Sequence, residues 1–180
     1  TIHPSVLKIH KLPMSDYFEN WEIPTANRPK AGDFKFDLET TLSSVFALRS
    51  EIPEDAFTAQ VLGTERMGNG VLIRADGLVL TIGYLIAEAD TIWLLSNQGD
   101  AIPAHVVAYD HNTGFGLVQA LARITTPPIA LGNSQSAEIG DPVIMAGHGG
   151  QRHALSAWIA AKREFAGYWE YVLDEAIFTT

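Results

Sequence analysis

The chain reads as an all-β protein built from two small barrels, the first complete and the second only part built. Three observations carry this reading. From Ser44 onward, short apolar and β-branched runs alternate with turn signals, the pattern of closely spaced strands rather than helices. Asp76-Gly77 stands between two such runs, and Asp-Gly in that setting is the strongest short-range hairpin signal. The strand candidates also fall into a group of six before a Thr- and Pro-rich stretch, Thr125-Thr126-Pro127-Pro128, and a group of three after it.

The first group begins with Ser44–Arg49. Gly70–Arg74 and Leu78–Ile82 then flank the turn Ala75-Asp76-Gly77, and Thr91–Leu95 leads through Asn97-Gln98-Gly99-Asp100 into Ala101–Tyr109. Phe115–Ala120 is the sixth strand. Six short strands with tight turns favour closure, because a closed barrel leaves no unpaired edge. The second group comprises Pro142–Gly147, the run from His153 to Phe165, and Tyr168–Phe178. Before all of these, Pro4, Pro13, Pro24 and Pro29 interrupt any long element, so residues 1–42 are expected to form an irregular arm with a short helix near Ser15–Glu22. The expected organisation is therefore arm 1–42, first barrel 43–126 and partial second barrel 127–180.

Composition excludes several classes of function. With 180 residues and 47% hydrophobic content the chain can bury a sizeable core. A net charge of -9 argues against binding a phosphate backbone as the main activity. The absence of cysteine removes disulfides, zinc-thiolate sites and thiol nucleophiles. Apolar runs such as Leu78–Ile86 are much shorter than the roughly 18–20 residues of a membrane-spanning helix. A start at Thr1 rather than Met is compatible with a mature chain after signal removal or with a shortened one.

Particular segments resemble the trypsin-like serine proteases of the HtrA/Deg type. That family carries a Gly-rich strand, a hairpin and a strand ending in Thr-Asn-x-His-Val-Val; here the stretch is Gly68-Asn69-Gly70-Val71-Leu72-Ile73, Asp76–Leu80 and Thr81-Ile82-Gly83-Tyr84-Leu85-Ile86. The family's Asp-x-x-Thr/Ser-Asp-Ile/Leu-Ala is matched by Asp110-His111-Asn112-Thr113-Gly114-Phe115-Gly116. Ile129–Ser134 and Ile139–Val143 resemble the entry into the second barrel, and Val172–Ile177 the strand before the nucleophile loop. The resemblance runs from Ser44 to Thr180 and implies a trypsin-like double β-barrel.

It also implies a disabled site. Tyr84 falls on the family's catalytic histidine and Gly114 on the aspartate that orients it, while the serine loop is expected just after Thr180. A phenol, with an ordinary pKa of about 10, is a poor base at neutral pH, and glycine has nothing with which to orient one. The resemblance thus points to a protease homologue without catalysis, binding a peptide or protein beside the former site by strand addition. It places the protein outside the cytoplasm, periplasmic or secreted. A half-built barrel exposes an edge and an apolar face, so a completing C-terminal segment, cleaved but retained or simply not included, or a partner is expected. An active serine endopeptidase completed by a segment carrying the serine loop is the alternative. No cofactor, metal, nucleic acid or membrane span is expected in the leading reading.

Other candidates carry less. His148 and His153, five residues apart around a Gly-rich turn, could hold a divalent metal together with a carboxylate, yet no ligand motif is complete. His111 reads as a solvated turn residue, and His105 as a barrel-surface or satisfied core residue. Gly68-Asn69-Gly70 lacks the following helix and Lys-Ser/Thr of a phosphate loop and reads as strand and turn. Trp158, Tyr168, Trp169 and Tyr171 read first as core packing of the second barrel, and second as a peptide-docking surface.

Overall fold

The computed structural model describes residues 21–167 and 171–180. Strands β1 (Val45–Glu51), β2 (Glu65–Leu72), β3 (Leu78–Ile82), β4 (Thr91–Leu95), β5 (Ala101–Tyr109) and β6 (Phe115–Ala120) close into a barrel in the order β1-β2-β3-β6-β5-β4. All its pairings are antiparallel. Alternation along each strand decides what fills it. Phe46, Leu48, Leu72, Val79, Leu94 and Val118 point inward and are fully buried. Each such side chain stabilises the fold by about 1.5–3 kcal/mol through burial.

The expected hairpin turns are present. Gly77 (φ +93°) and Gly99 (φ +89°) occupy the left-handed positions that the β2–β3 and β4–β5 turns require. β2 begins at Glu65, five residues before the apolar run that announces it at Gly70. Its early part is polar and Gly-rich because β1 pairs along its whole length, Glu51 with Glu65 through Val45 with Val71. A bulge between Val106 and Ala108 shifts the β5–β6 register, and Val107 is left exposed on the barrel wall.

After the linker, β7 (Pro142–Ala146), β8 (Ala154–Ala166) and β9 (Val172–Thr179) form a three-stranded sheet with β8 in the middle. Residues 127–130 do not hang free of the barrel: the Ile129 N–H donates to the Leu72 carbonyl at 2.9 Å. The fold is thus all-β, a complete six-stranded barrel followed by part of a second, as the strand grouping indicates.

The segment before Ser44 is more structured than an irregular arm. Helix α1 (Leu38–Ser43) is capped by Asp37, whose Oδ1 accepts from the Thr40 N–H at 3.1 Å and whose Oδ2 accepts from the Thr40 hydroxyl at 2.7 Å. Leu38 and Leu42 pack with Ala154 and with Phe34 and Ile144, making a second small core between helix and sheet. A one-and-a-half-turn helix has too short a period to announce itself in sequence. Of the helix expected near Ser15–Glu22, residues 15–20 lie outside the described residues, and Trp21 and Glu22 are not helical. A second short helix, α2 (Ala59–Leu62), lies in the chain between β1 and β2.

Trp158 corrects one expectation. It is 56% exposed, not part of a core, because the sheet that carries it is open. Tyr168 and Trp169 lie outside the described residues. Tyr171 turns instead toward the first barrel.

Candidate functional site

The two positions singled out by sequence, Tyr84 and Gly114, meet at one end of the barrel. β3 ends at Ile82, and a single 3₁₀ turn, Gly83–Leu85, follows it. The Gly83 N–H donates to the Gly114 carbonyl at 2.7 Å, so the turn carrying Tyr84 is bonded directly to the turn carrying Gly114. Gly83 is required there: a Cβ would fall within the Tyr109 ring, whose Cζ would lie 2.7 Å away.

The Asp110–Gly114 turn is built by its own side chains. Asp110 Oδ2 accepts from the Thr113 hydroxyl at 2.6 Å and Oδ1 from the Asn112 N–H at 3.0 Å. The Gly114 N–H closes the turn on the Asp110 carbonyl at 2.8 Å. These bonds, the Thr113 hydroxyl first, hold the Asp110 carboxyl below its usual pKa. Gly114 adopts φ +73°, a conformation that disfavours side chains.

Between the two turns lies a cavity of about 30 Å³, lined by Tyr84, Tyr109, Gly114 and Tyr171 with Thr58 and Leu62. Tyr171 fills what remains beside Gly114, where a Cβ would stand 2.8 Å from its Cγ. Phenols, the aliphatic side chains of Leu62, Ile82 and Ala87 and a hydroxyl line this space, with neither an imidazole nor a carboxylate among them. Such a lining can hold a water or grip an apolar group, but it offers no ordinary general base. His111 lies against Tyr109, ring centroids 4.3 Å apart and planes tilted by 41°, and is exposed outside the cavity. His105 is on the barrel surface.

A residue that sequence reading missed holds the Tyr84 turn in place. Arg66 is 4% exposed, and its guanidinium donates to the carbonyls of Tyr84 (2.6 Å) and Ala87 (3.1 Å) and to the Thr58 hydroxyl (2.7 Å). Burial lowers its pKa, and the charge of Glu88 partly offsets this. Glu88 in turn accepts from the Thr58 hydroxyl (2.6 Å) and from the Thr58 and Phe57 N–H groups (2.7 and 3.0 Å). The available signal was positional: Arg66 lies on the face of β2 that buries Gly70 and Leu72, where a charge requires partners.

The histidine pair has a different surrounding from that of a metal site. His148 Nε2 lies 3.2 Å from the Ser96 carbonyl. His153 Nδ1 lies 2.7 Å from the His148 carbonyl and its Nε2 2.8 Å from the Trp21 carbonyl. Both nitrogens of His153 are therefore engaged, and among the described residues no group of three or more His, Cys, Asp or Glu is arranged to hold a metal ion. The turn bearing His148 is fastened to the barrel by two asparagines: Asn69 Oδ1 accepts from the His148 N–H (2.9 Å) and Asn97 Oδ1 from the Gly149 N–H (2.7 Å). Gly68-Asn69-Gly70 is part of β2, as the strand reading expects.

Comparison with known proteins agrees with this geometry. Residues 68–180, more than half of the chain, match the family model of the trypsin-like peptidase domain. The chain is similar to the probable periplasmic serine endoprotease DegP-like of Pseudomonas fulva (strain 12-X), 27% identical over 100 residues, covering 55% of this chain and 21% of that protein. It is also similar to the protein so named from Pseudomonas putida (strain W619), 29% identical over 83 residues, covering 46% of this chain and 17% of the other. The chain thus spans about a fifth of the length of the curated relatives it matches. Among solved structures, the HtrA-type protease AlgW with tripeptide superposes with a TM-score of 0.58 at 20% identity, over 74% of this chain and 41% of the other. The Rv3671c protease in its inactive form superposes with a TM-score of 0.59 at 21% identity, over 87% and 75%. At these identities the structural likeness establishes the fold.

Proposed function

Because the chain belongs to the trypsin-like peptidase domain family, we propose that it is a hydrolytically silent member that acts by binding a peptide or protein. In this reading Tyr84 takes the position of the general base and Gly114 that of the acid that orients it. One observation carries the reading: the Tyr84 and Gly114 turns are bonded to each other at 2.7 Å, and the space beside Gly114 is taken by the Tyr171 ring. A triad needs a base near neutral pKa and a group to hold it; here the two positions offer a phenol and a hydrogen atom.

The ligand class follows from the sheet. β7 and β9 each pair with β8 alone, so each offers an unpaired strand edge. In the barrel, the strand pairs β1-β2-β3 are closed by β6-β5-β4. Three further strands linking β9 back to β7 would close the second sheet by the same plan, and a retained segment or a partner would supply them. An extended peptide would add to the completed sheet beside the former site. The curated relatives carry "periplasmic" in their names, and the proposed location is likewise outside the cytoplasm. No helix among the described residues is long and apolar enough to cross a membrane.

A serine-directed organophosphorus probe, applied alongside a panel of fluorescent extended peptides, tests the reading. It expects saturable peptide binding, no covalent labelling and no turnover. Covalent labelling with release of cleaved peptide would overturn it in favour of an active endopeptidase.

A further inference from the structure

We propose that His153 is a proton-operated latch that fastens the segment Trp21–Ile23 to the junction between the barrel and the three-stranded sheet. This goes beyond the proposed function and does not depend on it. The His153 ring makes two polar contacts. Nδ1 lies 2.7 Å from the His148 carbonyl and Nε2 lies 2.8 Å from the Trp21 carbonyl. A carbonyl oxygen can only accept, and a neutral imidazole has a single N–H. Both bonds form together only when the ring carries two protons. Removing one proton sets a nitrogen lone pair against a carbonyl lone pair at hydrogen-bond distance.

The surroundings are arranged for this. The Trp21 ring lies against His153, centroids 5.5 Å apart, and an aromatic face attracts the charged ring more than the neutral one. The Ile23 N–H donates to the Arg152 carbonyl at 2.9 Å, so residues 21–23 lie alongside the latch. Gly149, at φ +112°, leaves the space the ring occupies, since a Cβ there would overlap it. The charged groups nearby are Glu22 and Arg28 on the segment, Arg152 beside the latch, His148 on the turn and Asp100 beyond Ser96. Glu22 is paired with Arg28 at 2.6 Å and Arg152 at 3.3 Å, and these partners, Arg28 first, keep its carboxyl below the usual pKa. Burial is the largest cause that lowers the His148 pKa; the charge of His153 acts the same way and the Ser96 carbonyl opposes it.

Linkage gives the sign. The docked segment requires the second proton, so docking strengthens as pH falls through the histidine range and weakens as it rises. The same turn is held to the barrel by Asn69 and Asn97. Proton release therefore weakens the hold on the segment while the turn keeps its place.

Nitrogen-15 imidazole spectra of the wild-type chain, with amide exchange at Ile23 measured relative to its intrinsic rate, test the latch. At about pH 6 both His153 nitrogens are expected to be protonated and Ile23 protected; toward about pH 8.5, loss of one ring proton is expected to accompany an about tenfold faster exchange. In His153→Gln, Ile23 is expected to exchange rapidly at every pH. A neutral His153 ring at about pH 6 with Ile23 still protected would overturn the proposal, as would the same pH-dependent step persisting in His153→Gln. The wild-type spectra decide the matter even where the variant folds poorly.

Discussion

Gly114 and Tyr171 share one site: the missing side chain of the first is the space in which the ring of the second lies, with Tyr171 Cγ 2.8 Å from where a Cβ would stand. One residue belongs to the turn between β5 and β6, the other leads into β9. Their fit sets the start of β9 against the turn that carries Gly114.

Restoring a side chain at Gly114 therefore meets two penalties, a positive φ and an occupied space. Gly114→Ala is expected to destabilise the protein by about 2–4 kcal/mol. In a Tyr171→Ala background the loss is expected to be smaller, because the overlap is gone while the backbone strain remains. Urea unfolding of both single variants and the double variant measures this coupling. Strict additivity would mean that the two residues do not share the site.

Tyr84→His combined with Gly114→Asp places the family's residue types back at both positions. Hydrolysis of a fluorogenic peptide is expected to stay at the background rate, since the carboxylate cannot enter the space that Tyr171 holds. Turnover by this variant that is absent from the wild type would show that the cavity can be reopened.

Arg66→Met removes the donors to the Tyr84 and Ala87 carbonyls and to Thr58 while keeping much of the side-chain volume. The expected loss is about 3 kcal/mol, the consequence of leaving buried acceptors unpaired. Amide exchange in residues 83–88 is expected to rise more than in β1 or β4. Uniform exchange across the barrel would place the effect elsewhere.

Glu88 supplies a pH dependence. The Thr58 hydroxyl, then the Thr58 and Phe57 N–H groups, hold its carboxyl below the usual pKa, so folding favours the ionised form. Its contribution is complete above the ordinary glutamate range and is lost as pH falls through the lowered folded value. Stability is expected to fall in that acid window for the wild type and to fall less steeply for Glu88→Gln. Equal slopes in urea midpoints against pH would exclude Glu88 as a source.

Asn97 joins three parts of the chain: its Nδ2 donates to the Leu42 carbonyl at 3.1 Å and its Oδ1 accepts from the Gly149 N–H at 2.7 Å. Asn97→Ala is expected to lower stability by about 1–2 kcal/mol. It is also expected to loosen the β7–β8 connection, visible as faster exchange at Gly149. An unchanged Gly149 amide would show that Asn69 alone suffices.

Several strands were legible residue by residue. β3, β4, β5 and β6 lie where their apolar runs and turn residues indicate, and Gly77 and Gly99 adopt the positive φ that their turns call for. Tyr84 and Gly114 were also legible, because each is a substitution within a motif whose spacing is intact. Arg66, Asn69 and Asn97 were not. The groups they hold at the site and the junction, the Tyr84 carbonyl for Arg66, the His148 N–H for Asn69 and the Gly149 N–H for Asn97, lie 18, 79 and 52 residues away, and nothing in a local pattern names such a partner. Trp158 shows the converse error, since its apolar strand reads as core although the open sheet leaves it exposed.

By itself, then, the sequence determined the all-β class, the grouping of strands into one barrel and part of another, and the residue types at the candidate site. These rest on periodicity and turn chemistry, which act over a few neighbouring residues. Tertiary structure alone decided that Tyr171 lies over Gly114, that Arg66 holds the Tyr84 turn, and that His153 faces two carbonyls. Those contacts exist only once distant segments are packed together, and packing depends on the whole chain at once.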